Sequence, residues 1–214
     1  MSQALHRTRV KICGLTRRED ALLAADLGAD ALGFVFAPRS RRRASPESVA
    51  RIAEELPPFV TLVGVFLDQP EAEVRETVST CRLSVAQLHG SKDPDYVRRL
   101  GLRVLKAVSL VHREDLDQLA RYPGLSAFLL DSVANGERGG TGKAFDWGWA
   151  ADARRFGRIV LAGGLHPGNV ADAMRTARPW AVDVCSGTES SPGIKDPGKL
   201  RDFICRVRET DAQG

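Results

Sequence analysis

Eight strand-like stretches alternate with helix-like ones along the 214 residues, and this alternation predicts an α/β fold, a single-domain (β/α)8 (TIM) barrel. Two further observations point the same way. Most of the strand stretches are continuous apolar runs, the pattern of parallel strands covered by helices on both faces. No G-x-G-x-x-G follows the first strand, and the glycine-rich turns come late, after the sixth, seventh and eighth, which disfavours an open doubly wound sheet. No linker-like segment or shift in composition divides the chain. Residues 1–214 therefore read as one domain, with the barrel proper over about residues 9–208.

The first strand is expected over Val10–Cys13. Gly14 follows, and Thr16 and Glu19 stand in T-x-x-E spacing, which predicts a capping box at the first helix. Further strands are expected over Ala31–Phe36, Val60–Phe66, Leu83–Leu88, Val104–Val108, Ala127–Asp131, Ile159–Ala162 and Ala181–Val184. Between them, Val49, Ile52, Ala53 and Leu56 share one helical face, as do Val170, Ala173, Met174 and Ala177, and Leu200, Phe203, Ile204 and Val207. Ser45-Pro46, Asp93-Pro94 and Asp196-Pro197 each place a capping side chain before a proline suited to the first helical position. The fifth helix, around Arg113–Ala120, is short and weakly patterned, and is expected to be degraded. A short extra helix is expected after strand eight.

Composition narrows the function. The net charge of +4 is modest, and basic and acidic residues alternate except at Arg39, Arg41, Arg42 and Arg43. That pattern suits a small anionic substrate and lacks the broad basic face of a nucleic-acid partner. The four cysteines, Cys13, Cys81, Cys185 and Cys205, show neither C-x-x-C spacing nor a nearby histidine pair, so no metal site is expected. A chain this rich in core residues has no need of disulfides, and it opens without an apolar leader. No segment approaches 18 apolar residues, so no membrane partner is expected. Together these features predict a cytoplasmic protein; monomer and homodimer both stay open.

In such a barrel, strand C-termini and the loops after them face the active site. Cys13 ends strand one and Asp131 ends strand six, a thiol and a carboxylate suited to a base and acid pair. Free cysteine has a pKa of about 8.5, and Lys11, two residues back on the same strand face, would favour the thiolate. Asp131 needs the opposite tuning, from a desolvated site that keeps it partly neutral. The competing readings are a small buried hydrophobe for Cys13 and a loop cap for Asp131.

Three turns read as a phosphate cradle: Gly139-Gly140-Thr141-Gly142-Lys143, Gly163-Gly164 and Ser186-Gly187-Thr188. Glycine lets backbone N–H groups approach an anion closely, and the last two loops are where such barrels hold phosphate. The arginine run after strand two is either a solvated loop or a clamp for a substrate carboxylate. His89, in Gln87-Leu88-His89-Gly90 at the end of strand four, is an acid, a base or a hydrogen-bond donor. Asp183 ends strand eight, beside the phosphate loop, where it either orients the loop or meets substrate.

These residues together resemble the phosphoribosylanthranilate isomerase family of tryptophan biosynthesis. The likeness rests on Lys11-Ile12-Cys13-Gly14-Leu15-Thr16, Gly28-Ala29-Asp30-Ala31-Leu32-Gly33-Phe34-Val35-Phe36, Val63-Gly64-Val65-Phe66, Gln87-Leu88-His89-Gly90 and Leu129-Leu130-Asp131. It continues through Gly139-Gly140-Thr141-Gly142, Phe145-Asp146-Trp147, Gly163-Gly164-Leu165-His166-Pro167-Gly168-Asn169-Val170 and Val182-Asp183-Val184-Cys185-Ser186-Gly187. The motifs run in order over nearly the whole chain.

The resemblance implies an Amadori rearrangement of N-(5-phosphoribosyl)anthranilate without any cofactor. It implies Asp131 as general acid and Cys13 as general base. Arg42, with Arg41 as the alternative, would hold the anthranilate carboxylate. Lys11, Gln87, His89 and Asp183 would bind substrate, and Gly142, Gly163, Gly164, Ser186 and Gly187 would hold the phosphate. Family members commonly carry serine where this chain has Cys185. A phosphosugar isomerase of histidine biosynthesis is a rival on the same barrel, but those enzymes begin with an aspartate-bearing strand where this chain has Cys13. A non-catalytic phosphometabolite-binding barrel would have no use for both Cys13 and Asp131.

Overall fold

The computed structural model describes residues 7–125, 127–132 and 146–213. Eight parallel strands close in chain order: β1 (Arg9–Cys13), β2 (Ala31–Val35), β3 (Thr61–Leu67), β4 (Val85–His89), β5 (Val104–Leu110), β6 (Ala127–Ser132), β7 (Arg158–Leu161) and β8 (Ala181–Val184). Each agrees with its expected stretch to within two residues at either end. The ring shuts where β1 pairs with β8, in a register that sets Lys11 beside Asp183 and Ile12 beside Val184.

Helices α1 (Arg18–Asp26), α2 (Pro46–Glu55), α3 (Glu71–Thr80), α4 (Pro94–Leu100), α5 (Trp147–Ala153), α6 (Val170–Ala177) and α7 (Pro197–Gln213) surround the barrel. Their apolar faces lie where the spacing puts them. Val170, Ala173, Met174 and Ala177 of α6 and Leu200, Phe203, Ile204 and Val207 of α7 are all buried, and in α2 Val49 and Ile52 are buried with Ala53 packed beside them. This layer meets the outward residues of the strands, among them Ile12, Leu32, Phe34, Phe66 and Phe128.

In the fifth helical place a 3₁₀ stretch, Arg113–Arg121, stands where the degraded helix was expected. Its buried Leu116 and Leu119 are three residues apart, one turn of such a helix. The Asp115 carboxylate accepts the Val111 and His112 backbone N–H groups at 2.8 and 2.9 Å, which closes its first turn.

Three expected caps are present. Ser45 accepts from Ser48 N–H, Asp93 from Tyr96 N–H and Asp196 from Lys199 N–H, each contributing about 1 kcal/mol. The box at Thr16 and Glu19 is not. Arg17 is the N-cap residue of α1 and makes no side-chain capping bond to its backbone; its guanidinium instead holds Asp20. The Thr16 hydroxyl is drawn elsewhere and donates to Gly193 O at 2.6 Å, 177 residues along the chain. Gly193 lies in a hairpin, β9 (Glu189–Ser191) and β10 (Ile194–Lys195), that the sequence reading did not anticipate because strands of three and two residues show no period. A 3₁₀ turn, Ser186–Thr188, precedes the hairpin and is the short extra helix expected after strand eight. The loop after β1 is thereby tied to the loop after β8.

Side chains alternate along each strand, so those between the outward ones fill the barrel. Its apolar plug is made by Leu105, Ala107, Leu129, Val160, Ala162 and Ala181. Three buried polar residues, Lys11, Gln87 and Asp183, share this inward face, whereas Lys106 has the outward parity of Val104 and Val108 on β5; all four sit next to the site described below. Among the described residues no helix is long and apolar enough to cross a membrane.

Candidate active site

A cavity of about 1140 Å³ opens at the C-terminal mouth of the barrel. Cys13, Arg41, Arg42, Gln87, His89, Asp131, Gly163, Gly164, Asp183 and Ser186 all line it. The sequence reading scattered these residues over several strand ends and loops, and closure of the ring brings them around one cavity. Lys11 lies beneath the cavity rather than on its wall, and Gly187 is packed behind the loop after β7. Gly142, and with it the loop from Gly139 to Lys143, falls outside the described residues.

Lys11 is almost wholly buried and donates to Asp183 Oδ1 at 2.7 Å. Burial opposes its charge, but the nearby Asp183 carboxylate and Cys13 outweigh that penalty and raise its pKa. Lys11 therefore stays an ammonium. A Cβ added at Gly33 would meet Cys13 Sγ at 2.8 Å and Lys11 Nζ at 3.1 Å, which places thiol and ammonium side by side. Cys13 is lowered from the ordinary thiol range. A hydrogen bond from Cys185 and the charge of Lys11 favour its thiolate, against burial and the charge of Asp183.

Asp131 is tuned the other way. Burial, and then repulsion from Asp183, push it up to about 6, against the Ser132 N–H hydrogen bond and Lys11. A carboxyl group with this pKa keeps a useful protonated fraction near neutrality. Asp183 therefore does two things at once: it holds the Lys11 charge and disfavours the Asp131 charge.

Gly14 sits between these groups with φ +75, a left-handed conformation natural to glycine. A Cβ there would lie 2.7 Å from Cys185 Sγ and 2.8 Å from Arg42 Cδ. Its missing side chain makes room for both. The Arg42 guanidinium is gripped by Glu189, with Nε donating to Oε1 at 2.8 Å and Nη2 to Oε2 at 2.7 Å. Glu189 also accepts from Gly193 N–H at 3.2 Å and lies 3.5 Å from Lys195 Nζ. Arg42 is thus aimed and half-buried at the cavity wall, whereas Arg41 is exposed at the rim.

Gln87 Nε2 and His89 Nε2 are 2.7 Å apart. Gln87 Oε1 is buried at the cavity with no hydrogen-bond partner among the described residues, an acceptor left for a ligand donor. The end of β6 and the loops after β7 and β8 pack backbone to backbone. Gly163 (φ +84) comes so near Ser132 that a Cβ would lie 2.4 Å from Ser132 N, and one at Gly187 would lie 1.9 Å from Leu165 O. Asn169 shapes the β7 loop, donating to Gly164 O at 3.0 Å and accepting His166 N–H at 2.8 Å.

Three contributors escaped the sequence reading. Glu189 lies 147 residues from Arg42, and nothing local marks the pair. Lys106 is a buried amine on the cavity wall that burial pushes down to about 8; it donates to Gly90 O at 2.9 Å and Ala107 O at 2.7 Å and so steadies the end of β4. Its signal was a lone charge inside an apolar strand. Cys185 beside Cys13 was readable in principle: Lys11 and Cys13, and Asp183 and Cys185, are each two residues apart on strands that meet only when the barrel closes.

A thiol and a carboxyl group tuned in opposite senses share the mouth of a closed parallel barrel with glycine-shaped loops, the architecture of a (β/α)8 enzyme. Comparison with known proteins makes this particular. The family model for N-(5'phosphoribosyl)anthranilate (PRA) isomerase matches residues 10–206, and the chain belongs to that family. An N-(5'-phosphoribosyl)anthranilate isomerase of Citrifermentans bemidjiense is 50% identical over 202 residues, covering 94% of this chain and 98% of the relative. The crystal structure of the Thermotoga maritima phosphoribosyl anthranilate isomerase superposes with a TM-score of 0.89 at 42% identity, covering 94% of this chain and 99% of that one. Another structure of the enzyme, in complex with reduced 1-(o-carboxyphenylamino)-1-deoxyribulose 5-phosphate, gives 0.86 at 40% identity with the same coverage.

Proposed function

We infer that the protein is the isomerase of tryptophan biosynthesis that converts N-(5'-phosphoribosyl)anthranilate to 1-(2-carboxyphenylamino)-1-deoxyribulose 5-phosphate. In this reading Asp131 is the general acid and Cys13 the general base. The observation that carries it is the opposed tuning of these two groups at one cavity: Cys185 and Lys11 lower the thiol, whereas burial and Asp183 raise the carboxyl. The ribose ring oxygen leaves poorly as an alkoxide, so Asp131 gives it a proton as the C1–O bond breaks. The anilino nitrogen lone pair forms a Schiff base at C1, which acidifies the C2 proton. The Cys13 thiolate takes that proton, and the resulting enolamine tautomerises to the ketone.

The other residues bind. Backbone N–H groups around Gly163, Gly164, Ser186 and Gly187, with Gly142, cradle the phosphate. Gln87 Oε1 accepts a sugar hydroxyl beside His89. Lys11 and Asp183 act from below, Lys11 through charge on Cys13 and Asp183 also at the cavity surface. Arg42 meets the anthranilate carboxylate from the wall where Glu189 holds it. Arg42→Ala is therefore expected to raise KM at least about tenfold, the loss of a charge-assisted hydrogen bond of roughly 1.5–3 kcal/mol. Arg41→Ala is expected to leave KM near its starting value. Steady-state kinetics on the two variants decide between them, and the reverse result would assign the carboxylate to Arg41.

The direct test of the whole reading is fluorescence. Purified protein with no added cofactor should abolish the emission of phosphoribosylanthranilate at a rate proportional to enzyme. Unchanged emission would refute it.

A further inference from the structure

The two thiols at the closure of the ring have a geometry beyond what the isomerase reaction needs. The β1–β8 register pairs Lys11 with Asp183 and Ile12 with Val184, and one residue further along each chain come Cys13, the last residue of β1, and Cys185, the first after β8. Neighbouring strands lie about 4.8 Å apart, inside the Cα–Cα range of disulfides. The thiols of Cys13 and Cys185 bias one another's ionisation, and both residues line the cavity. Gly14 leaves the space that Cys185 Sγ occupies. Cys81 is buried elsewhere and Cys205 is exposed on α7, so neither competes for this pairing.

We propose that Cys13 and Cys185 form an oxidation site for small hydroperoxides, closing to a disulfide that reversibly removes the catalytic thiol. The Cys13 thiolate, held beside the Lys11 ammonium, attacks the O–O bond of the peroxide. An S–O bond forms, the O–O bond breaks, and the distal oxygen leaves as water or alcohol with a proton from solvent. Cys13 is now a sulfenic acid, oxidised by two electrons. Cys185 then attacks that sulfur. The S–S bond forms, the S–O bond breaks, and hydroxide leaves as water with the Cys185 proton. An external dithiol reverses the reaction by thiol–disulfide exchange.

The experiment treats the intact protein with hydrogen peroxide and follows turnover, intact mass and the non-reducing peptide map, before and after dithiothreitol. The expected result is a species lighter by two hydrogens, one peptide linking Cys13 to Cys185, loss of turnover, and its full return with dithiothreitol. Cys185→Ser, confirmed folded by circular dichroism, should instead gain oxygen at Cys13 and pass to a state that dithiothreitol does not rescue. Absence of the linked peptide, or dithiothreitol rescue of the overoxidised Cys185→Ser variant to the wild-type extent, would overturn the proposal. The loss of turnover rests on the reading of Cys13 as the base, whereas the linked peptide does not. A linked peptide with full turnover would keep the disulfide and refute the catalytic assignment.

Discussion

Cys13→Ala is expected to lower kcat by about 10²–10⁴, the range in which a positioned general base contributes, while KM stays close to the wild-type value. The thiol lies at the mouth of β1 and lines the cavity, apart from the large apolar layer between strands and helices. Its removal leaves the Lys11–Asp183 ion pair and the Arg42–Glu189 clamp in place. Substrate should therefore still bind. What is lost is the only thiolate set beside Lys11 among the described residues. Cys13→Ser tests the same point more finely, since a hydroxyl keeps the shape but has far less basicity at neutral pH. Wild-type kcat in the alanine variant would remove Cys13 from the mechanism.

Asp131→Asn is expected to lower kcat by a similar factor of about 10²–10⁴, because an amide fills the same space and cannot give up a proton to the ring oxygen. The variant should also be more stable than the wild type at neutral pH. The wild-type carboxyl is pushed up to about 6 from an ordinary 3.8, so the folded state prefers it protonated. A group raised in this way favours the fold below about pH 4, and the advantage is lost as pH rises through about 6. Above that pH, burial and Asp183 work against the charged Asp131, by at most about 3 kcal/mol. The uncharged amide of the variant escapes this cost. Chemical denaturation at pH 4 and pH 8 checks the sign: the gain should appear at pH 8 and shrink towards pH 4. The same titration sets the alkaline limb of wild-type kcat/KM, since the acid is lost as pH climbs past about 6. That limb should be absent from the residual activity of the variant.

Much of this protein was legible in the chain. Local periodicity reports what each segment buries, so the eight strands, the faces of α2, α6 and α7, and the caps at Ser45, Asp93 and Asp196 are where the pattern puts them. The strand-end positions of Cys13 and Asp131 follow from the same pattern. Where local spacing misled, at Thr16 and Glu19, a distant acceptor at Gly193 competed for the hydroxyl. The resemblance to a family added the chemical roles, which no spacing supplies.

By itself, then, the sequence determined the strand–helix order, the barrel and the residue types at its mouth, because these depend on neighbours within a turn or two. Tertiary structure alone decided which groups tune one another. Lys11 meets Asp183 across 172 residues, Arg42 meets Glu189 across 147, and Cys13 meets Cys185 only where β1 closes on β8. Ionisation depends on charge and burial within a few ångströms, and those distances exist only once the ring is shut.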